Sequence, residues 1–260
     1  MKRVLPLLLV SFFLGSCGNR TQPSGTAKNP ALLAEKPGVD SSRVLPELDL
    51  YRAKRFESVQ EAAAEPDRVH KLVLYGRDLQ KMPSGLSQFT YLSSLDVSQN
   101  QLSSLGGEIS SLHYLQGLYA VGNRLTTFPE GVVLLPVLQK IDLSNNQISS
   151  IPESIQRMDQ LVRLSMDDNA VTRFPVALFS LKNLSVLELA RNGLTEIPEG
   201  IASLKKLKKL DLAGNQITSL PKDLGSLRES LEELNLQGNP IPREEIDRLL
   251  EALPATNIRF

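Results

Sequence analysis

Hydrophobic residues recur at a fixed spacing along most of the chain, and one stretch shows the spacing most clearly. From Leu184 to Lys206 the sequence reads LSVLELARNGLTEIPEGIASLKK, and the same pattern begins again at Leu207, 23 residues after its first leucine. A fixed period of this length predicts a solenoid, because one unit is too small to bury its own apolar face. The core then forms between stacked neighbours, and adjacent repeats share their stability.

The order of residues inside one unit predicts its elements. Leu187 and Leu189 flank Glu188, which is the alternation of a half-buried strand with leucines in the core and the intervening residue facing outward. Asn192 ends the strand with an amide that can both donate to and accept from backbone groups of neighbouring coils. The segment from Pro198 then returns on the opposite side as an irregular or short helical stretch. Stacked strands of this kind predict an α/β repeat solenoid with one parallel sheet.

Eight such units follow one another, spaced by 23 residues except for the last, which is spaced by 24. They begin at Val69, Leu92, Leu115, Leu138, Leu161, Leu184, Leu207 and Leu231. An asparagine column runs through Asn100, Asn123, Asn146, Asn169, Asn192, Asn215 and Asn239, and a proline column through Pro83, Pro129, Pro152, Pro175, Pro198 and Pro221. The first repeat carries Arg77 in the asparagine column, and Gly106-Gly107 interrupts the proline column in the second, which predicts a looser turn.

The repeated pattern LxxLxLxxNxLxxLPxxIxxLxx resembles the leucine-rich repeat family over residues 69–241. The resemblance implies a horseshoe in which the parallel sheet lines the concave surface. It also implies that this concave surface is the ligand face.

Residues 46–68 are predicted to form an N-terminal cap over the first repeat. Ser58 followed by Glu61 is a capping box that opens a short helix, and Pro66 ends it. The preceding stretch LDLYR alternates like a short strand. A terminal repeat exposes half of its core, so a small helix is expected to cover it.

Residues 242–260 are predicted to form a C-terminal cap. The stretch PREEIDRLLEALP reads as a helix with Pro242 at its first position and Pro254 as its stop. Its inward stripe is expected to consist of Ile246, Leu249, Leu250 and Leu253. The last four residues, NIRF, can close the final coil.

Residues 1–17, MKRVLPLLLVSFFLGSC, have a basic start and an apolar run that is shorter than the ~20 residues needed to span a bilayer. This favours a secretory signal over a buried strand or a short uncleaved anchor. Its end, Leu14 to Cys17, resembles the bacterial lipobox, which implies that Cys17 is lipidated after cleavage. Gly18 follows where aspartate would retain such a protein at the inner membrane, so an outer-membrane or surface location is permitted. Residues 18–45, rich in Gly, Pro, Ser, Thr and Asn, are predicted to be a flexible tether.

Composition excludes several classes of function. The 29 basic and 29 acidic residues balance, and no basic run predicts nucleic-acid binding. Cys17 is the only cysteine, so neither an intrachain disulfide nor a cysteine-based zinc site can form. His70 and His113 lie at non-equivalent positions and are expected to face solvent, and no motif predicts an enzyme or a cofactor. Asp96, Asp142 and Asp211 are too widely spaced, with Tyr119 and Ser165 between them, for a divalent-cation site.

The outward positions of the strands are the candidate binding surface. In the predicted sheet they form three columns, of which the first is largely basic and the second largely acidic. Residues expected to contact a protein ligand are Val73, Tyr75, Tyr119, Val121, Lys140, Asp142, Arg163, Asp167 and Glu188. Because binding energy concentrates in buried aromatics, Tyr119 is predicted as the centre of a hot spot, whereas the charges set orientation or simply pair weakly with each other.

The sequence therefore predicts a monomeric, non-enzymatic protein-binding module, held on a bacterial envelope by a lipid anchor and touching the membrane only through it. Two alternatives are a structural envelope protein that self-associates and an adhesin that contacts host molecules.

Overall fold

The computed structural model describes residues 36–260; the predicted signal segment with Cys17 and residues 18–35 of the predicted tether lie outside this range. The described chain forms one parallel sheet of ten strands in sequence order. Strands β2 to β9 come from the eight predicted repeats, and β1 and β10 from the flanking segments. The strands are β1 Arg55–Phe56, β2 Lys71–Val73, β3 Ser94–Asp96, β4 Gly117–Tyr119, β5 Lys140–Asp142, β6 Arg163–Ser165, β7 Val186–Glu188, β8 Lys209–Asp211, β9 Glu233–Asn235 and β10 Asn257–Arg259.

The strands stack in register, so each residue lies beside its equivalent one repeat later. Leu72 pairs with Leu95, and the same pairing continues through Leu187 and Leu210 to Leu234. These leucines are buried and belong to one hydrophobic cluster that runs through all repeats. The predicted parallel sheet and repeat solenoid are thus confirmed.

On the side opposite the sheet the chain forms short 3₁₀ turns, as the return segments predict. They span Leu86–Gln88, Glu108–Ser111, Glu130–Leu134, Glu153–Arg157, Val176–Ser180, Ile201–Ser203 and Lys222–Leu227. In the second repeat, where the proline is missing, Gly106 adopts a φ of +64° just before the turn. This backbone conformation suits glycine, since a side chain there would be strained.

The asparagine column ties neighbouring coils together. Asn169 accepts the Ile148 N–H through Oδ1 at 2.9 Å, and its Nδ2 donates to the carbonyls of Leu143 at 3.0 Å and Met166 at 3.1 Å. Equivalent bonds recur in the other repeats, for example at Asn123. Each amide therefore satisfies backbone groups of its own coil and of the preceding one, as predicted.

At the C-terminus, α3 (Arg243–Ala252) begins one residue after Pro242, which occupies the N-cap position. Leu249 and Leu253 are buried, but Leu250 is 44% exposed, so its predicted place in the inward stripe is wrong. The helix packs on the return turn of the seventh repeat, Lys222–Leu227, and Leu250 faces away from the core. β10 then pairs with β9 and extends the sheet by one strand.

At the N-terminus, the stretch LDLYR is helical rather than extended. It forms α1 (Glu47–Arg52), with Glu47 and Asp49 in the first turn and Arg52 in the last. This charge order suits the helix dipole, which explains why the five-residue stretch LDLYR did not form a strand. The first strand instead starts at Arg55.

The predicted capping box is present in modified form. Ser58 Oγ accepts the Glu61 N–H at 3.1 Å and opens α2 (Val59–Ala62). The Glu61 carboxylate, however, accepts the N–H of Glu57 rather than that of Ser58. A 3₁₀ turn, Pro66–Arg68, then leads into β2.

Residues 36–45, which the composition placed in the flexible tether, contact the solenoid. Ser41–Arg43 is a 3₁₀ turn, capped by the Asp40 side chain. Together with α1 these residues form one segment, residues 36–52, hereafter the strap. The compositional reading missed this because Tyr91, Tyr114 and Asp159 supply partners from distant repeats. Within residues 36–260, no helix has the length and apolar character required to cross a membrane.

Candidate functional site

The sheet presents the three predicted columns in register on its concave face. The first column is Lys71, Ser94, Gly117, Lys140, Arg163, Val186, Lys209 and Glu233. The second is Val73, Asp96, Tyr119, Asp142, Ser165, Glu188, Asp211 and Asn235. The third, two residues further on, contains Tyr75, Ser98, Val121, Ser144, Asp167, Ala190, Ala213 and Gln237.

The apolar members of the predicted site differ in how much they can contact a partner. Tyr75 is 55% exposed, whereas Val73 is only 7% exposed, so Val73 belongs to the core instead of the surface. Tyr119 and Val121 are half-buried.

Aspartates in the second column terminate their strands. The Asp142 carboxylate accepts the N–H of Ser144, two residues later, at 3.0 Å. Asp96 and Asp211 make the equivalent bond at 2.9 and 3.1 Å. This local turn is a common use of aspartate and satisfies a backbone donor where the ladder ends. In these repeats, the aspartates of the second column therefore have a structural role.

Of the repeats without an aspartate in the second column, two satisfy the same donor with a side chain of the preceding repeat. Where Tyr119 replaces it, the Val121 N–H donates to Ser98 Oγ in the preceding repeat at 3.1 Å. Where Glu188 replaces it, the Ala190 N–H donates to Asp167 Oδ1 at 2.7 Å. Asp167 thus compensates for its neighbour, a role that only the stacked repeats reveal.

This position changes the acidity of Asp167. Burial raises its pKa to about 6, and the nearby charges of Asp211 and Glu188 act in the same direction. The bond from the Ala190 N–H and the positive charge of Arg191 oppose the rise without cancelling it.

Charges in the C-terminal half of the face pair with each other. Glu188 accepts bonds from Ser165 Oγ and Lys209 Nζ, both at 2.6 Å, and from Arg163 at 3.4 Å. Partial burial alone would raise the Glu188 pKa, but the hydrogen bonds from Lys209 and Ser165 outweigh it and lower the pKa. Arg163 and Glu188 are therefore engaged within the protein, as the simple account of weakly paired charges expects.

The N-terminal half of the face carries the strap. Glu47 of α1 pairs with Lys140, and the Lys71 ammonium lies 5.9 Å from the centre of the Tyr51 ring. Between α1 and the sheet a cavity of about 170 Å³ remains. It is lined by Glu47, Leu50, Tyr51, Lys71, Ser94, Gln116, Gly117, Tyr119, Gln139 and Lys140. The predicted hot spot at Tyr119 thus lies on the floor of a groove that the chain itself partly covers.

Neither histidine is fully exposed, which corrects the sequence-based expectation. His70 Nδ1 lies 3.0 Å from the Tyr91 carbonyl, and burial lowers its pKa. His113 is half-buried in another repeat. In the part of the chain that the structure describes, no three histidine, cysteine or acidic side chains cluster in a way that could hold a metal ion.

Comparison with known families agrees with the repeat pattern. The family model described as "Leucine-rich repeat region" matches residues 68–192, and the one described as "Leucine rich repeat" matches residues 176–241. Together they span every repeat found in the sequence. No curated protein matches the chain.

Solved structures share the fold. The inlF internalin of Listeria monocytogenes superposes with a TM-score of 0.69 at 24% identity over 78% of this chain and 57% of its own. The plant peptide hormone receptor RGFR1, in complex with RGF2, has a TM-score of 0.58 at 28% identity over 67% of this chain and 29% of its own. The ectodomain of the Arabidopsis thaliana receptor kinase GASSHO1/SCHENGEN3, in complex with Casparian strip integrity factor 2, has a TM-score of 0.58 at 33% identity. The match covers 66% of this chain and 22% of the receptor chain. The chain therefore spans little more than half of the internalin and under a third of either receptor.

Proposed function

We propose, from its membership of the leucine-rich repeat family, that this chain is a non-enzymatic module that binds a protein or peptide on its concave face. The observation that carries the proposal is the contrast between the two halves of that face. In the C-terminal half the charged groups pair with each other around Glu188. In the N-terminal half Tyr75 is exposed, and a cavity remains beside Tyr119.

The plant receptors that share the fold are described in complex with RGF2 and with Casparian strip integrity factor 2. This supports a protein or peptide as the ligand class. It does not identify the ligand of this chain.

The experiment that tests this function begins with proximity labelling in the native envelope to identify the partner. Calorimetry then compares its affinity for the wild type, Tyr119→Ala and Asp211→Asn. Tyr119→Ala should weaken binding by roughly 2 kcal/mol or more, as a central aromatic does, and Asp211→Asn by less than about 1 kcal/mol. The asparagine control keeps an acceptor for the Ala213 N–H, and it removes the charge together with the oxygen that accepts from Asn235 Nδ2. A larger effect from Asp211→Asn would refute the placement of the site.

The proposal places the module on a bacterial envelope, anchored by lipid at Cys17. The support is the order of the first 17 residues, with a basic start, an apolar run and a lipobox-like end. Cys17→Ser should abolish lipidation and move the protein out of the detergent phase on partitioning. If the variant stays in the detergent phase, the lipid anchor is wrong while the binding function still stands.

Monomeric behaviour is also part of the proposal. Sedimentation of the unlipidated protein should show a constant mass across a hundredfold range of concentration. Mass that rises with concentration, together with labelling that recovers only the protein itself, would favour a self-associating envelope protein.

A further inference from the structure

We infer that the groove beneath the strap is a peptide-binding site that the chain fills with its own residues 36–52, and that its partner is a peptide with an acidic residue followed four residues later by an aromatic one. The inference rests on the proposed function and specifies its site and ligand chemistry.

The floor of the groove has a pattern that suits such a segment. In four successive strands the first column carries Lys71, Ser94, Gly117 and Lys140. Adjacent strands lie about 4.8 Å apart, so the two lysines stand about 14 Å apart with two small residues between them. The small residues leave a depression, and Tyr119 leans across it, since its ring lies 3.2 Å from where a Gly117 Cβ would stand.

The strap fills this pattern with complementary groups. Glu47 and Tyr51 are four residues apart and so share one face of α1. Glu47 pairs with Lys140 at one end of the depression, and Tyr51 lies under the Lys71 ammonium at the other. Leu50 lines the cavity between them. The bound Lys140 also lowers the Glu47 pKa, so the carboxylate is charged at neutral pH.

The strap is held weakly. None of the residues of α1 is buried; Leu48 is 57% and Tyr51 78% exposed. Towards its N-terminus the contacts are polar: Lys36 pairs with Asp159, and the Asp40 N–H donates to the Tyr114 hydroxyl at 3.1 Å. Exposed pairs of this kind contribute little to stability. A segment with few buried apolar contacts is expected to open locally far more easily than the solenoid.

The strap also leaves one group of the groove unsatisfied. Gln116 lines the cavity and is only 8% exposed, yet its Nε2 has no hydrogen-bond partner within residues 36–260. A buried donor without an acceptor is costly. A partner peptide that places a carbonyl or carboxylate there would gain a bond that the strap does not make. The groove therefore offers one hydrogen bond that its own segment does not use.

A synthetic peptide with the strap sequence, KPGVDSSRVLPELDLYR, tests the site without a known partner. In the wild type the tethered strap competes at an effective concentration on the order of millimolar, because only two residues separate it from β1. Glu47→Lys places a positive charge against Lys140 and should release the strap. The fluorescently labelled peptide should then bind this variant at least tenfold more tightly than the wild type in an anisotropy titration.

Two controls separate this from a general effect of charge. Asp49→Lys makes the same charge reversal on the same short helix, two residues from Glu47 and on another face, and should leave peptide binding at the wild-type level. In the chain carrying both Glu47→Lys and Lys140→Glu, the charge pair is restored in reverse. Hydrogen exchange of residues 47–52 should slow to the wild-type rate there, and the peptide should no longer bind.

Equal binding of the peptide to wild type and Glu47→Lys, or binding to neither, would overturn the inference. So would unchanged hydrogen exchange of the strap in Glu47→Lys. None of these results touches the proposed function, because the partner found by labelling could still depend on Tyr119. Conversely, if Tyr119→Ala does not weaken partner binding but the strap peptide binds as expected, the proposed function is refuted and the inference about the groove still stands.

Discussion

The environment of Asp167 leads to a specific prediction about how stability depends on pH. Its pKa rises from 3.8 to about 6 in the folded protein. The folded state therefore binds the proton more tightly than the unfolded state, and stability falls as pH rises from about 4 to about 6. A shift of this size corresponds to about 3 kcal/mol at most, and to about 1–2 kcal/mol once the partial solvent exposure of the side chain is discounted.

Asp167→Asn removes the charge and keeps an oxygen that can accept the Ala190 N–H. The variant should be about 1–2 kcal/mol more stable than the wild type at pH 7.5, and within about 0.5 kcal/mol of it at pH 4.0, where the wild-type carboxyl is protonated. Urea unfolding followed by far-UV circular dichroism at both pH values measures the difference. The reasoning would be refuted if the variant were less stable than the wild type at pH 7.5. It would also be refuted if the free energy of unfolding differed from the wild type by the same amount at both pH values.

The neighbouring aspartate provides the matched control. Asp168 pairs with Arg191 through both carboxylate oxygens at 2.6 Å, and that hydrogen bonding lowers its pKa. The pair of Asp168 with Arg191 therefore stabilises the fold above the ordinary pKa of the carboxyl, and this stabilisation is lost as pH falls. Asp168→Asn should be destabilising at pH 7.5, by less than about 1 kcal/mol because the pair is exposed. The two substitutions differ by one position and should have opposite signs.

Three further predictions concern the stacked core. Leu187→Asp buries an unpaired charge between repeats and should cost at least about 3 kcal/mol in urea unfolding, whereas Val186→Asp on the outward face should cost about 1 kcal/mol or less. Asn169→Ala leaves backbone groups of two coils without partners and should cost roughly 2 kcal/mol, with faster hydrogen exchange at the Ile148 amide. Removal of the chain from Pro242 onward should loosen the last repeats first, because coupling runs between nearest neighbours. Uniform protection from hydrogen exchange along the truncated chain would contradict the prediction for this truncation.

Much of the fold follows from the sequence because one local pattern recurs in eight repeats, of which seven carry the asparagine and six the proline. A leucine alternation, an asparagine and a proline at fixed offsets leave one way to stack the units, so the register of the sheet follows as well. Errors fall where this repetition stops. LDLYR has no equivalent in other repeats, and its short alternation fits a helix turn as well as a strand. Leu250 fits a helical stripe, but only tertiary packing decides how wide the buried stripe is.

The sequence predicted which residues of the candidate site lie on the same face of the sheet. It did not predict which partners most of their side chains contact. The columns follow from the period, so their positions on the face are confirmed by the register. What each side chain does depends on the neighbouring repeats: Asp167 accepts the Ala190 N–H because Glu188, one repeat later, does not. Such relations lie 20 or more residues apart in sequence and leave no local signal.

The overall charge balance of the chain conceals a local imbalance. In the C-terminal half, Glu188 neutralises two cations of the sheet. In the groove, the cations of the sheet are satisfied by the strap: Lys140 by Glu47 and Lys71 by the Tyr51 ring. When the strap leaves, two ammonium groups and the unpaired donor of Gln116 face solvent together. The open groove then presents two uncompensated cations, although the whole chain has a formal charge of zero. A neutral composition therefore argues against an extended nucleic-acid surface, but not against a short acidic peptide, which needs complementary charge over only four strands.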